Sequence, residues 1–321
     1  MRMTIMTLDS IQIQEPRLPH FLLLAFLWLV TSVPLAAQAV SGQKTFSSPS
    51  EAVHALLEAA RSGDPDHLVP LLGPQAKDLI ASGDYGAAKD LLAGFVKAYG
   101  EKHSLSVEAQ GFEFLQVGQG DWPFPFPIVR DGKVWYFDID RGNEEIIDRR
   151  VGRNELGAIA VCEGYVQGQI EYASKGRDGN PKGIYAQRFH SDPGKHDGLY
   201  WVPSKGEPES PMGSLVASAA AEGDSKQSAG SAVPYYGYFY RILTAQGPEA
   251  PGGAKSYIVD GKLTGGFALI AYPAQYRSSA VMTFIVNQDG AVYQQDLGDQ
   301  TGDLASQITA YNPDSSWQPA Q

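Results

Sequence analysis

Residues 131–172 read DGKVWYFDIDRGNEEIIDRRVGRNELGAIAVCEGYVQGQIEY, and this stretch decides how the rest of the chain is arranged. It starts as a strand, VWYF after an Asp-Gly turn, and continues as the longest helical pattern in the sequence. Asn143 is the expected N-cap, and Glu144 and Glu145 fall in the first turn, where the helix dipole favours negative charge. The sequence therefore predicts a helix over residues 143–172 that links two packed halves.

Two apolar stripes at helical spacing run along this predicted helix. The first consists of Ile147, Val151, Ala158, Cys162 and Tyr165, and the second of Leu156, Ile159, Val166 and Ile170. Because a helix buries its apolar stripes, we expect neighbouring elements to cover it on two sides. Cys162 is the single cysteine of the chain and cannot form an internal disulfide, so we expect a buried, inert thiol.

Composition restricts the kinds of partner that the protein binds. The chain has 321 residues, of which 43% are hydrophobic and 19% charged, and this balance predicts a folded protein of about two domains. Its net charge of −11 gives no counterion-release affinity for nucleic acid, so we expect no nucleic-acid partner. The sequence also lacks a basic cluster that would hold it on anionic lipid.

The N-terminus has the pattern of an export signal. An apolar run over residues 21–30, FLLLAFLWLV, precedes the small-x-small sequence of Ala37, Gln38 and Ala39. A membrane anchor is the alternative, but a spanning helix needs about 20 apolar residues and this run is shorter. We predict a signal peptide over residues 1–39 and a periplasmic or secreted protein with no membrane span after processing. The sequence leaves the start codon open among Met1, Met3 and Met6.

The remaining sequence predicts an α+β fold. Local signals include Ser48 as the N-cap of a first helix, and Asp131-Gly132 and residues 287–290 as hairpin turns. Short strands are expected at residues 184–189 and 199–202, and a small helix at 212–222. The predicted segments are an N-terminal α+β domain (40–142), the linking helix (143–172), a turn-rich connecting region (173–233), a C-terminal antiparallel β domain (234–298) and a flexible tail (299–321).

The motif WPFPFPIV, over residues 122–129, places prolines at alternate positions. A central strand cannot lose that many hydrogen-bond donors, so the motif predicts an edge strand with its Phe side chains on one face. Helices followed by an antiparallel sheet and a long helix are similar, in element order, to the nuclear-transport-factor-2-like folds.

Several motifs carry a resemblance to a known family: DWPFPFPIVRDGKVWYFD, EEIIDRRVGRNELGAI, PGKHDGLYW and YRILTAQGPEAPGGAKSYIVDG. Together they resemble the domain-of-unknown-function family 2950 (DUF2950), exported bacterial proteins without an assigned activity. The resemblance implies a Gram-negative envelope or secreted setting and supplies no catalytic residues. The segments GYFYRIL, FALIAYP and FIVNQDGAVY are also similar to the C-terminal sheet of type IV pilin-like and pseudopilin proteins. The chain lacks their prepilin peptidase site and long apolar helix, which argues against pilus assembly.

One turn-rich loop contains side chains suited to catalysis or metal binding. The candidates are His190, Asp192, His196 and Asp197. Two imidazoles and two carboxylates are common metal ligands, but the H-x5-H spacing fits no standard motif, so we predict neither metal nor cofactor. The alternative function that these residues support is a periplasmic hydrolase that uses the acids and histidines of residues 178–197.

Arginines and aromatic residues are the candidate ligand-binding groups. Arg149, Arg150 and Arg153 either clamp a carboxylate or phosphate or form a solvated helix face. Aromatic residues near prolines and turns either stack on sugar rings and dock a partner or fill the interior. These aromatic residues are Trp122, Phe124, Phe126, Tyr200, Trp201, Tyr235, Tyr236 and Tyr238. The preferred prediction is a non-enzymatic binding or assembly role with an envelope protein or a glycan, and whether the protein is an enzyme stays open.

Overall fold

A long helix joins two hydrophobic clusters, and antiparallel sheets belong to both of them. The computed structural model describes residues 39, 41–77, 85–207, 209–213 and 234–320. The α-helices are α1 (Pro49–Arg61), α2 (Val69–Leu72), α3 (Tyr85–Glu101), α4 (Ile139–Lys175) and α5 (Thr301–Gln307), with 3-10 turns at Pro65–Leu68 and Gly298–Gln300. The α+β prediction is confirmed. None of the helices in the described ranges is both long and apolar enough to cross a membrane.

The first sheet follows α3. Its strands are β1 (His103–Ala109), β2 (Phe112–Val117), β3 (Trp122–Pro123), β4 (Ile128–Asp131) and β5 (Val134–Phe137). They are antiparallel in the order β1-β2-β4-β5, with β3 paired to β2. The predicted Asp131-Gly132 turn is confirmed, because Asp131 and Val134 pair directly across it. The prediction of an edge strand is confirmed only for Trp122–Pro123, after which the chain bends away from the sheet.

The first cluster forms where α1 packs against this sheet. Ser48 caps α1 as predicted, because its hydroxyl accepts the Glu51 N–H at 3.2 Å. The Glu51 carboxylate in turn accepts from the N–H and hydroxyl of Ser47, which fixes the chain at the helix entry. Buried members of the cluster include Leu56 on α1, Leu115, Ile128 and Phe137 on the sheet, and Ile139 on α4.

The second sheet contains most of the last third of the chain. Its strands are β6 (Tyr238–Leu243), β11 (Ala268–Pro273), β12 (Met282–Asn287), β13 (Val292–Asp296) and β14 (Gln318–Pro319), in the order β14-β13-β12-β11-β6. Two small pairs accompany it: β7 (Ala245–Gln246) with β8 (Lys255–Ser256), and β9 (Ile258–Val259) with β10 (Lys262–Leu263). The predicted turn at residues 287–290 is confirmed by the bond from Gly290 N–H to Asn287 O at 3.0 Å.

The helix α4 starts earlier than predicted. Asp138, not Asn143, is its N-cap, and the Asp138 carboxylate accepts the Arg141 N–H at 3.2 Å. Asn143 lies inside the helix, so its assignment as the cap is wrong. The aromatic ring of Phe126 lies directly on the helix backbone at Gly142 and leaves no room for a Cβ atom. Gly142 is therefore required by packing and does not interrupt the helix.

Two polar side chains fix the middle of α4 to the second sheet. Asn154 Nδ2 donates to Ser279 O at 2.8 Å, and Glu155 Oε1 accepts the N–H groups of Val281 and Met282, both at 3.0 Å. These bonds satisfy backbone groups where β12 begins. They hold the helix at a defined position along the strand, because each bond joins one specific pair of groups.

Only part of the predicted helix burial is correct. Ala158, Cys162 and Tyr165 of the first stripe are fully buried in the second cluster, and burial raises the pKa of the Cys162 thiol. In the second stripe Leu156 is 66% exposed and Ile170 50% exposed, so those two assignments are wrong. One broad face of α4 therefore contacts the second sheet, and its opposite face is open to solvent.

The connecting region is held by isolated backbone hydrogen bonds and by side-chain hydrogen bonds, and not by the predicted strands. Residues 184–189 and 199–202 form no strand, so that prediction is wrong. The amide of buried Gln169 accepts from Ala186 N–H at 2.8 Å and donates to Ala186 O at 2.9 Å, which replaces a strand partner. The helix expected at 212–222 and the signal peptide at 1–39 fall almost wholly outside the described residues.

The prediction of a flexible tail over residues 299–321 is wrong. Residues 299–320 contain α5 and β14, and Tyr311 is buried in the second cluster. Arg241 explains the order of this segment, because its Nη2 donates to Ala305 O at 2.7 Å and to Ile308 O at 2.8 Å. These bonds satisfy carbonyl groups at the C-terminal end of α5, which a polar sequence pattern does not reveal.

Candidate functional site

The acidic candidates of the turn-rich loop form ion pairs with nearby cations. Asp192 accepts from Arg188 Nη1 at 2.7 Å and from Lys195 Nζ at 3.0 Å. The hydrogen bond from Lys195 is the main cause that holds the pKa of Asp192 below its usual range. Asp197 accepts the Asp192 N–H at 2.9 Å and lies 3.7 Å from Arg188. These contacts favour the ionised form of Asp192 and tie the loop together.

The two histidines of the loop belong to different networks. His190 Nε2 lies 3.3 Å from the Tyr235 hydroxyl, and burial lowers the pKa of His190. His196 packs on Trp201, with ring centres 4.4 Å apart, and its Nε2 lies 3.7 Å from Glu207. Within the part of the chain that the structure describes, no group of three or more His, Cys, Asp or Glu residues is placed to hold a metal ion.

Two of the predicted ligand-binding residues meet on the surface where β3 lies beside α4. The guanidinium carbon of Arg149 lies 4.9 Å from the ring centre of Trp122. Its Nε donates to Glu145 Oε1 at 2.7 Å, as the spacing of four residues predicts. Trp122 is 48% exposed, although it is a large apolar side chain. We call this surface, formed by Trp122, Arg149 and Glu145, the Trp122 face.

Arg150 and Arg153 do not complete a three-arginine clamp. Both side chains are exposed on α4, and neither forms an ion pair with another described residue. Arg149 alone packs against an aromatic ring and is held by an acid, so it is the arginine of the three with a fixed orientation.

Most of the predicted aromatic platform lies in the interior. Trp201 is only 7% exposed and lies against the guanidinium group of Arg177 at 4.6 Å, so a sugar ring cannot stack on it. Tyr200 is half-buried beside His190. The other residues of the set are buried (Phe126, Tyr236 and Tyr238) or partly buried (Phe124 and Tyr235). Trp122 is the member of the set that remains exposed.

Two important side chains were not identified from the sequence. Gln169 is fully buried, and it also donates to the Tyr165 hydroxyl at 3.1 Å. Arg177 follows the end of α4 and is buried between Tyr172 and Trp201. The sequence around Gln169 shows only an amide side chain on a helix, which does not indicate burial. The polar turn residues around Arg177 predict that its side chain is exposed.

The comparison with known families covers nearly the whole described chain. Residues 43–320 match the family described as "Protein of unknown function (DUF2950)". The chain belongs to the DUF2950 family. In this DUF2950 protein the matched range contains both hydrophobic clusters, α4 and the Trp122 face. Comparisons with curated proteins and with solved structures gave no match. The similarities of its two halves to nuclear-transport-factor-2-like and pilin-like folds therefore stay predictions.

Proposed function

We propose that this DUF2950 protein is exported and acts in the cell envelope as a non-enzymatic binding protein. The observation that carries the proposal is the exposed indole of Trp122, which is fixed against Arg149. A large exposed aromatic side chain is a feature of binding surfaces, because its burial by a partner is favourable. The proposed ligand is a glycan, since an open aromatic face stacks on a sugar ring.

The Trp122 face is organised before any ligand arrives. Glu145 orients the guanidinium group of Arg149, and that group lies 4.9 Å from the ring centre of Trp122. The cation–π contact limits the motion of the indole, which lowers the entropy that binding would otherwise cost. The indole remains 48% exposed beside this guanidinium group, so a large apolar surface is open to a ligand.

Substitution of Trp122 tests the glycan proposal. Calorimetric titration of the processed protein with soluble oligosaccharides of amino sugars and uronic acids should detect binding that Trp122→Ala weakens. Loss of one stacked ring contact costs about 0.5–1.5 kcal/mol, so the affinity should fall about twofold to tenfold. Val202→Ala, which trims another exposed apolar side chain, should bind as the unaltered protein does. Equal binding by Trp122→Ala would remove the support for this surface.

Export rests on the sequence of residues 1–39, with an apolar run followed by small residues at a cleavage position. Expression of the full chain in a Gram-negative host, followed by fractionation and N-terminal sequencing, tests it. We expect a mature N-terminus immediately after Ala39 in the periplasmic or secreted fraction. An uncleaved, folded precursor in the cytoplasm would contradict export.

The alternative of a hydrolase receives less support from the contacts of residues 178–197. A general acid needs a carboxyl group that gains a proton near neutral pH, whereas Asp192 is held ionised by Lys195 and Arg188. Turnover of a hydrolase substrate that is lost in both His190→Ala and Asp192→Ala would favour the alternative.

A further inference from the structure

A buried guanidinium group whose Nε has no hydrogen-bond partner among the described residues lies just beyond the C-terminal end of α4. The side chain of Arg177 is only 10% exposed. Its guanidinium carbon lies 4.6 Å from the ring centre of Trp201 and 5.8 Å from that of Tyr172. Its Nε is buried and makes no hydrogen bond to a described residue. Its Nη2 forms an ion pair with the carboxylate of Glu171 at 3.8 Å, which is beyond hydrogen-bond distance.

The carboxylates near Arg177 are held by other groups. Glu171 accepts from Lys175 Nζ at 2.6 Å, and Asp178 accepts the His196 N–H at 2.7 Å. Glu171 Oε1 is shared between Lys175 Nζ and the more distant Nη2 of Arg177, and neither acid accepts from the Arg177 Nε–H. A buried cation is costly unless it is both paired and hydrogen-bonded. Two aromatic rings and the 3.8 Å approach of Glu171 compensate only part of that cost, and the described residues leave the Arg177 Nε–H without an acceptor.

Two more buried donors lie in the segments around this guanidinium group. Trp201 Nε1 and the Ser210 hydroxyl are both buried and have no hydrogen-bond partner in the described part of the chain. The bond from Met212 N–H to Leu199 O, at 3.1 Å, brings the segment of Ser210 beside the segment of Trp201. Buried polar groups are paired in the great majority of cases, so the unpaired N–H groups of Trp201 and Arg177, whose side chains are in contact, indicate a binding site for acceptors.

We propose that Arg177 and Trp201 bind the carboxylate group of a small organic acid. A carboxylate supplies the missing negative charge and two acceptor oxygens, one for the Arg177 Nε–H and one for the indole N–H of Trp201. The rings of Tyr172 and Trp201 hold the guanidinium group in place, which favours a planar, two-oxygen partner. The site does not depend on the Trp122 face, which lies on the earlier part of α4.

Thermal unfolding of the processed protein in different sodium salts tests this site. Acetate, succinate or citrate should raise the melting temperature above that in sodium chloride of equal ionic strength, because a ligand that binds only the folded state stabilises it. Arg177→Gln should abolish the increase. Arg188→Gln is the matched control, since it removes an exposed arginine of the same region and should leave the increase unchanged.

Several outcomes would overturn the site. They are an equal increase in chloride, an equal increase in Arg177→Gln, an increase with inorganic phosphate alone, or no increase with any of the three acids. If Arg177→Gln does not fold, Trp201→Phe keeps a ring beside the guanidinium group and removes only the indole N–H. Calorimetric titration should then show carboxylate binding about tenfold weaker, as expected for one lost hydrogen bond to a charged acceptor. Unchanged affinity of that variant would also contradict the proposal.

Discussion

At the scale of single residues, Gln169 shows how one amide replaces a strand. It satisfies both backbone groups of Ala186 and contacts the Tyr165 hydroxyl, which itself donates to Ala268 O at 3.1 Å. One side chain thus connects α4, the connecting region and β11. A buried hydrogen-bond network stabilises a structure only when every polar group in it is hydrogen-bonded. Loss of Gln169, which is at the centre of this network, should therefore be costly.

Gln169→Leu should lower the free energy of unfolding by about 2–4 kcal/mol. The change leaves the N–H and C=O of Ala186 buried and unpaired, and each unsatisfied group costs about 1–3 kcal/mol. Urea denaturation followed by circular dichroism measures the difference. Gln167→Leu makes the same change at an exposed position of α4 and should alter the stability by less than about 0.5 kcal/mol. Similar losses in both variants would contradict the role of Gln169.

His190 gives stability a dependence on pH. Burial lowers its pKa, so the folded protein holds the ring neutral beside Tyr235 and Tyr200, whereas the unfolded chain takes up a proton at about pH 6.5. The contribution of His190 is therefore fully present above about pH 6.5 and decreases as the pH falls toward the lowered pKa of the folded state. His190→Gln should show a weaker loss of melting temperature below pH 6.5, and equal slopes for both proteins would contradict this.

At the scale of elements, the glycines of α4 have opposite roles. Gly142 lies under the ring of Phe126, whereas Gly152 has no atom near the position of its absent Cβ. Gly142→Ala should destabilise the protein by about 1–3 kcal/mol, because the added methyl group displaces the ring. Gly152→Ala should stabilise it by about 0.5–1 kcal/mol through helix propensity. Thermal unfolding of both variants checks the pair, and a stabilising Gly142→Ala would show that Phe126 does not press on the helix.

The difference between local signals and long-range packing explains which elements the sequence predicts. The helix α1 is predictable because Ser48, Pro49 and Glu51 are adjacent signals that act through local backbone contacts. The start of α4 is not predictable from the sequence, because Asp138 and Asn143 are both good N-cap residues. The packing of the Phe126 ring on Gly142 favours the cap at Asp138. In the candidate sites, proline spacing identified the exposed edge at Trp122. The burial of Arg177 depends on Trp201, which lies far along the chain, and no local pattern encodes that contact.

At the scale of the whole molecule, the two clusters share α4 but use different parts of it. Ile139 and Ile146 belong to the first cluster, and Ala158 and the residues after it belong to the second. The last residues of the chain complete the second cluster, since α5 and β14 flank its sheet. The stability of the second cluster should therefore depend on residues 299–320, which the sequence alone predicts to be a flexible tail.

Deletion of residues 299–321 should destabilise the second cluster and leave much of the first intact. The deletion removes buried Tyr311, uncovers the edge of β13 and takes away the carbonyl groups that Arg241 binds. Unfolding should become less cooperative, with a weaker transition from the second cluster that limited proteolysis locates. Deletion of residues 41–42, which are exposed, is a control that should leave the melting curve unchanged. An unchanged curve for the larger deletion would contradict the packing of this segment.

The anchoring of α4 by Asn154 and Glu155 has a consequence for the order in which the protein matures. Buried members of the first cluster all lie between Phe46 and Ile139, so they are available early in synthesis. The partners of Asn154 and Glu155 follow 125 to 127 positions later. Asn154 and Glu155 therefore cannot make these hydrogen bonds until residues 279–282 have left the ribosome. The second half of the molecule therefore reaches its final packing only after residues 279–282 have been synthesised, which is compatible with the export proposed above.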